Sequence, residues 1–105
     1  MTMEVALDDL AAEISARGHR AFLTTVSDDA SPKVTHVAIE MQGDTLAVSV
    51  GAGTAHNASA RPTVTLLWPA TEPGQLHLLV DGTAAVADGG EVVITPTWAV
   101  QHRIA

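Results

Sequence analysis

Apolar and polar positions along the chain switch between a helical and a strand period. Leu7, Leu10, Ala11 and Ile14 recur at i, i+3, i+4 and i+7, which is one face of a helix. Glu4, Asp8 and Asp9 lie toward the positive end of its backbone dipole, Arg17 lies near the negative end, and Gly18 is a natural stop. From Arg20 the period falls to two. Strands are expected at Arg20 to Ser27, at Lys33 to Met41 and at Thr45 to Val50, with a turn over Asp28 to Pro32 and a hairpin at Gln42-Gly43-Asp44. Val37, Ile39 and Met41 share one face of the second strand, and Leu46, Val48 and Val50 share one face of the third.

The alternation breaks at Gly51-Ala52-Gly53-Thr54. A short helix is expected from Ala55 to Arg61, stopped before Pro62. Three more strands follow, at Thr63 to Trp68, at Gln75 to Ala87 and at Glu91 to Thr95. Gly82 inside the fifth suggests a bulge or bend, Pro96 ends the sixth, and Trp98 to Arg103 reads as a final helical turn. This order predicts a mainly β domain: six antiparallel strands closing a small barrel, with an N-terminal helix and a short helix between strands three and four. One domain, residues 1–105, is expected.

Composition narrows the partners. The chain is 47% hydrophobic and 16% charged, with a formal net charge of -7. Its five basic residues, Arg17, Arg20, Lys33, Arg61 and Arg103, are scattered, so nucleic acid is not an expected partner. The absence of cysteine excludes disulfides, thiolate metal sites and thiol catalysis. No apolar run is long enough for a membrane helix, and the acidic N-terminus does not read as a signal peptide, so a cytoplasmic location is the expectation. Aliphatics in excess of a small core favour burial of one face against a second copy, a homodimer.

The stretch from Val50 to Asn57 is the strongest local pointer to a ligand. A strand runs into Gly51-Ala52-Gly53-Thr54 and then a helix start, where free backbone N–H groups can bind an anion. Thr54 either caps that helix or meets a phosphate oxygen. The same residues also fit an ordinary tight turn. His36, opposite Val37 across the second strand, either contacts a ligand or faces solvent. His77 alternates with Leu76 and Leu78 and is expected to point outward. No histidine pair has the spacing of a familiar zinc motif, and no G-x-S-x-G nucleophile motif is present. Trp68 and Trp98 are expected to pack within or between subunits.

Several segments, taken in order, carry a resemblance. They are Phe22-Leu23-Thr24-Thr25-Val26, Pro32-Lys33-Val34-Thr35-His36-Val37, Gly51-Ala52-Gly53-Thr54-Ala55-His56-Asn57, Arg61-Pro62-Thr63-Val64-Thr65-Leu66-Leu67-Trp68 and Pro96-Thr97-Trp98-Ala99-Val100-Gln101-His102-Arg103. Together they resemble the pyridoxamine 5'-phosphate oxidase-like, FMN-binding split-barrel proteins, the last segment being similar to the tail of short actinobacterial-type members. The resemblance implies a homodimer with two flavin sites at the subunit interface. It implies Thr35, His36 and Val37 along the flavin ring, and Val50, Gly51, Ala52, Gly53, Thr54 and Asn57 around the phosphate. It places Trp68 near the interface and cofactor. Many members carry Lys or Arg in the loop–helix segment; here His56 is the only ionisable residue there before Arg61. The implied function is an FMN-dependent oxidoreductase. The alternatives are an F420-dependent reductase, disfavoured by the shortage of basic residues, and a non-catalytic or degenerate barrel that binds another small ligand.

Overall fold

The computed structural model describes residues 2–103. Its elements in order are β1 (Thr2–Val5), a 3-10 turn (Leu7–Asp9), α1 (Leu10–Arg17), β2 (Arg20–Val26), β3 (Pro32–Gln42), β4 (Thr45–Ser49), α2 (Ala52–Ala60), β5 (Thr63–Trp68), β6 (His77–Val86) and β7 (Glu91–His102). The strands form one antiparallel sheet in the order β1-β7-β4-β3-β2-β5-β6, and β6 also pairs with β7. That last pairing closes β2 to β7 into a six-stranded barrel and leaves β1 outside it. The expected mainly β barrel is therefore what the chain builds.

Alternation fills the interior. Ala21, Leu23, Val37, Ile39, Leu46, Val48, Val64, Leu66, Trp68, Leu78, Val80, Val92 and Ile94 are all buried in one cluster. Each fully buried aliphatic side chain contributes about 1.5–3 kcal/mol. The two helices close opposite ends. α1 sits where β2 begins and β5 ends: Trp68 Nε1 donates to the carbonyl of Gly18 at 3.1 Å, and Arg17 Nη2 donates to the carbonyl of Leu76 at 2.8 Å. Gly18 holds φ at 101°, a conformation that glycine adopts without a Cβ penalty. α2 sits at the other end, where Asn57 Nδ2 donates to Thr25 Oγ1 and Ala84 N donates to the carbonyl of Pro62.

Three local expectations are corrected. Residues 2–5 form a strand rather than the approach to a helix, because Val5 finds a buried place against Ala99 in the last strand. The final segment is not a helical turn. Pro96 does not end the sixth barrel strand, which continues to His102. The register shifts there, from Gly82↔Pro96 to Asp81↔Trp98, so Thr97 is the extra residue of a bulge. A bulge tolerates the missing N–H of proline. Third, the helix after β4 begins at Ala52 and not at Ala55, so Thr54 lies inside it and is not its cap. The irregularity expected at Gly82 is present as a register shift, with the extra residue on the facing strand β7.

Candidate functional site

The start of α2 offers bare backbone donors. Gly51 is the N-cap residue, with φ −72° and ψ 169°, and no side chain caps the helix. The first helical bond runs from Ala55 N to the carbonyl of Gly51 at 3.0 Å. The N–H groups of Ala52, Gly53 and Thr54 thus precede any intrahelical partner, the arrangement that favours an anion. Gly51 has an extended backbone that any residue adopts, and a Cβ added at Gly51 or Gly53 would meet nothing within 4 Å. Neither glycine is needed by the chain's own packing; what they provide is an unobstructed approach to those amides.

β3 brings one of its expected site residues to this helix. Thr35 Oγ1 lies 3.5 Å from Thr54 Oγ1. Alternation puts Lys33, Thr35 and Val37 on the same face of β3, the face that pairs with Thr25, Leu23 and Ala21 of β2. Val37 is buried in the barrel, so it presents only backbone to a ligand. His36 points the other way, is exposed, and stacks on Phe22 with ring centroids 4.6 Å apart. Asn57 and Trp68 are buried and bonded to Thr25 and Gly18. Val50 packs partly against the core, while Gly51, Ala52 and Gly53 are exposed. The structure thus gathers Thr35, Gly51, Ala52, Gly53 and Thr54, and separates them from His36 and Trp68. His77 points outward as its alternation requires, and its Nδ1 accepts the backbone N–H of Ala70.

Three of the basic groups nearby or noted from sequence are engaged or distant. Asp28 bridges His56 Nε2 at 3.0 Å and Arg61 Nη2 at 2.6 Å, and Arg61 Nε donates to the carbonyl of Val26. The Arg61 guanidinium, then His56, holds the Asp28 carboxyl below its usual range. Next to it, hydrogen bonds from Ser27 and Ser31 lower Asp29 to about 2. Arg103 follows β7 at the α1 end of the barrel. Lys33 is exposed and makes no ion pair among the described residues. It is the cation available on the Thr35 face. The Asp28–His56–Arg61 cluster was not legible in the sequence, because its members lie 28 and 33 residues apart and share no local spacing.

Other concavities lie elsewhere. One of about 530 Å³ is on the outer face of β3 and β4, floored by Ala38 and Ala47 and edged by His19, Glu40 and Glu91. No group of three or more His, Cys, Asp or Glu side chains fit for a metal ion occurs among the described residues.

Comparison with known proteins locates this architecture. A candidate pyridoxamine 5'-phosphate oxidase from Listeria innocua superposes with a TM-score of 0.73 at 20% identity, covering 90% of this chain and 96% of its own. An FAD-binding protein from Mycobacterium smegmatis gives 0.71 at 14% identity, covering 98% and 100%. The heme storage protein from Vibrio cholerae gives 0.67 at 14% identity, covering 91% and 94%. The chain therefore has the split-barrel fold of the pyridoxamine 5'-phosphate oxidase-like proteins, the fold that its sequence resemblance implied. In sequence, uncharacterized proteins of Mycobacterium bovis and Mycobacterium tuberculosis are 37% identical over 62 residues, which is 53% of this chain. The matched stretch is 44% of those relatives' length, so this chain spans about half of them or less. No protein-family model matches the chain. Among the described residues, no helix is long and apolar enough to cross a membrane.

Proposed function

We propose that the protein is a cytoplasmic, homodimeric flavoprotein that holds FMN and works as an oxidoreductase. The observation that carries this reading is the uncapped start of α2, with open glycines at 51 and 53 and the Thr54 hydroxyl beside Thr35. These donors fit a phosphate monoester: the amides of Ala52, Gly53 and Thr54 would hold its oxygens, and Lys33 would supply the charge. FMN, when bound, supplies the hydride or electron acceptor, which agrees with the lack of a nucleophile motif in the chain. The chain's own part is to bind and orient the ring and to exclude water from it. Flavin-, F420- and heme-binding proteins share the fold, and the single unpaired lysine favours a short phosphate over the longer acidic tail of F420.

The first test is the absorption spectrum of the purified protein after incubation with FMN and gel filtration. About one flavin per subunit is expected to be retained. Lys33→Ala is expected to weaken FMN about tenfold, the scale of one hydrogen bond to a charged group, and to leave riboflavin binding unchanged. A protein that takes up no FMN overturns the FMN reading, and the F420 reductase and the non-catalytic barrel become the working alternatives.

The dimer half of the proposal rests on the outer face of the barrel. Paired positions run His36–Phe22–Leu67–Leu79–Val100 and, beside them, Val34–Thr24–Thr65–Asp81–Trp98. Asp81 is the one acid or base in these rows besides His36, and Thr65 donates to it at 2.7 Å. Val34 is 63% exposed and Trp98 46%. A charge-poor stripe on a chain of net charge -7 suits a second copy. Sedimentation at micromolar concentration is expected to show a dimer, and Val34→Glu should weaken it about 100-fold, as loss of a central apolar contact does. A monomeric parent protein would remove the shared flavin site.

A further inference from the structure

Thr25 and Asn57 are the buried polar side chains among the described residues, at 1% and 8% exposure. They are bonded to each other, Asn57 Nδ2 donating to Thr25 Oγ1 at 3.3 Å. Burial of an amide and a hydroxyl where an aliphatic pair would fit forgoes hydrophobic stabilisation, and such pairs are best accounted for by the register they impose. The helix they join needs a register. On α2, Thr54, Asn57 and Ala58 fall at i, i+3 and i+4, a face made of one small apolar residue and two polar ones. Ala58 is in the apolar cluster and Ala55 packs against it, each with a single methyl group, so little apolar area resists rotation or sliding of the helix over the barrel end. Thr25 lies on β2 directly opposite Lys33 of β3, and Leu23 opposite Thr35. One bond from Thr25 to Asn57 therefore sets where Thr54, one turn earlier, meets Thr35.

We infer that Thr25 and Asn57 are positioning residues for the anion-binding turn of α2, acting through Thr54 and not by touching the ligand. The inference rests on the phosphate reading of that turn. It assigns Asn57 a different task from a ligand contact: its amide is committed inward, to β2. Because the bond acts on the turn and not on the ring, it should affect the phosphate and spare the rest of the flavin.

The test compares Thr25→Val, which keeps the shape and removes the acceptor, with Thr25→Ser, which keeps the hydroxyl. Affinities for FMN and for riboflavin are measured on the full chain, together with the proton NMR cross-peak between the side-chain methyls of Thr35 and Thr54. Thr25→Val is expected to melt cooperatively, to lose about fivefold of the preference for FMN over riboflavin, and to lose the cross-peak. Thr25→Ser is expected to keep both. A Thr25→Val protein that keeps the cross-peak and the full preference overturns the inference. If the parent protein does not prefer FMN to riboflavin, the phosphate reading itself fails; the cross-peak in the two variants then still decides whether Thr25 positions α2. Should Thr25→Val not fold, Asn57→Leu carries the same comparison, with the same results for and against.

Discussion

Replacing Trp68 by alanine is expected to cost about 3–5 kcal/mol of folding free energy, the usual range for removing a large aromatic from a packed core. The side chain is 1% exposed and stands at the last position of β5, opposite Leu78. It fills the barrel at the end that α1 covers, and its indole N–H occupies the Gly18 carbonyl at 3.1 Å. Truncation removes both, leaving a cavity under the helix and a carbonyl without that partner. Small domains hold about 5–15 kcal/mol in total, so the variant should sit near its unfolding threshold. Urea denaturation followed by far-ultraviolet circular dichroism measures this. A loss under 1 kcal/mol would mean that the α1 end is not closed by this residue. Trp68→Phe, which keeps most of the volume, should recover the larger share.

The second large effect is expected at Gly82. A Cβ there would stand 2.6 Å from Ile94 Cγ2 and 2.9 Å from the Thr95 carbonyl oxygen. The isoleucine can turn away, but the carbonyl belongs to β7 at the approach to the bulge and cannot move without its strand. Gly82→Ala should destabilise by about 1–3 kcal/mol, the scale of core overpacking, and Gly82→Val by more. The bulge ties this result to the closure of the barrel, because β6 and β7 form the pairing that completes the ring. A thermal melt of Gly82→Ala coinciding with that of the parent would show that β7 yields freely at Thr97.

The same strand pair shows why some elements were readable and others were not. Gly82 breaks a run of alternating residues, and a bend was expected there on that ground alone. Pro96 gave the opposite impression. A proline reads as a stop because it cannot donate to the ladder, yet here it lies beside the bulge, where the ladder is already interrupted. The last strand then supports β1, whose short sequence Thr2–Val5 has no signal of its own. Nothing local distinguishes it from the approach to α1; only the open edge of β7 beyond its pairing with β4 gives it a place.

The candidate site divides in the same way. Gly51, Gly53 and Thr54 were visible, because a strand running into glycines and then a helix is a local pattern. The end of the helix was not: Gly51 is the N-cap, so Thr54 belongs to the first turn and its hydroxyl faces Thr35 instead of capping. Alternation could separate His36 from Thr35 across β3, but it could not tell which face would meet α2. The pairings of Asn57 with Thr25, and of Asp28 with His56 and Arg61, needed the folded chain to bring together residues about thirty positions apart.

By itself, then, the sequence determined the elements whose cause is local: the period-two runs that build a barrel, α1 with Leu10 and Ile14 buried while Leu7 and Ala11 of the expected face stay exposed, the turns, and the irregularity at Gly82. Tertiary structure alone decided the pairings of β2 with β5 and of β4 with β7 that join the hairpins into a ring, the docking of β1, the continuation past Pro96, and the partners of His56 and Arg61. The physical reason is the range of the forces. Side-chain period and backbone propensity act over a few residues and leave their mark in the order of the chain. Closure, strand-edge pairing and the bridging of His56 and Arg61 by Asp28 depend on distances that exist only after the chain has folded.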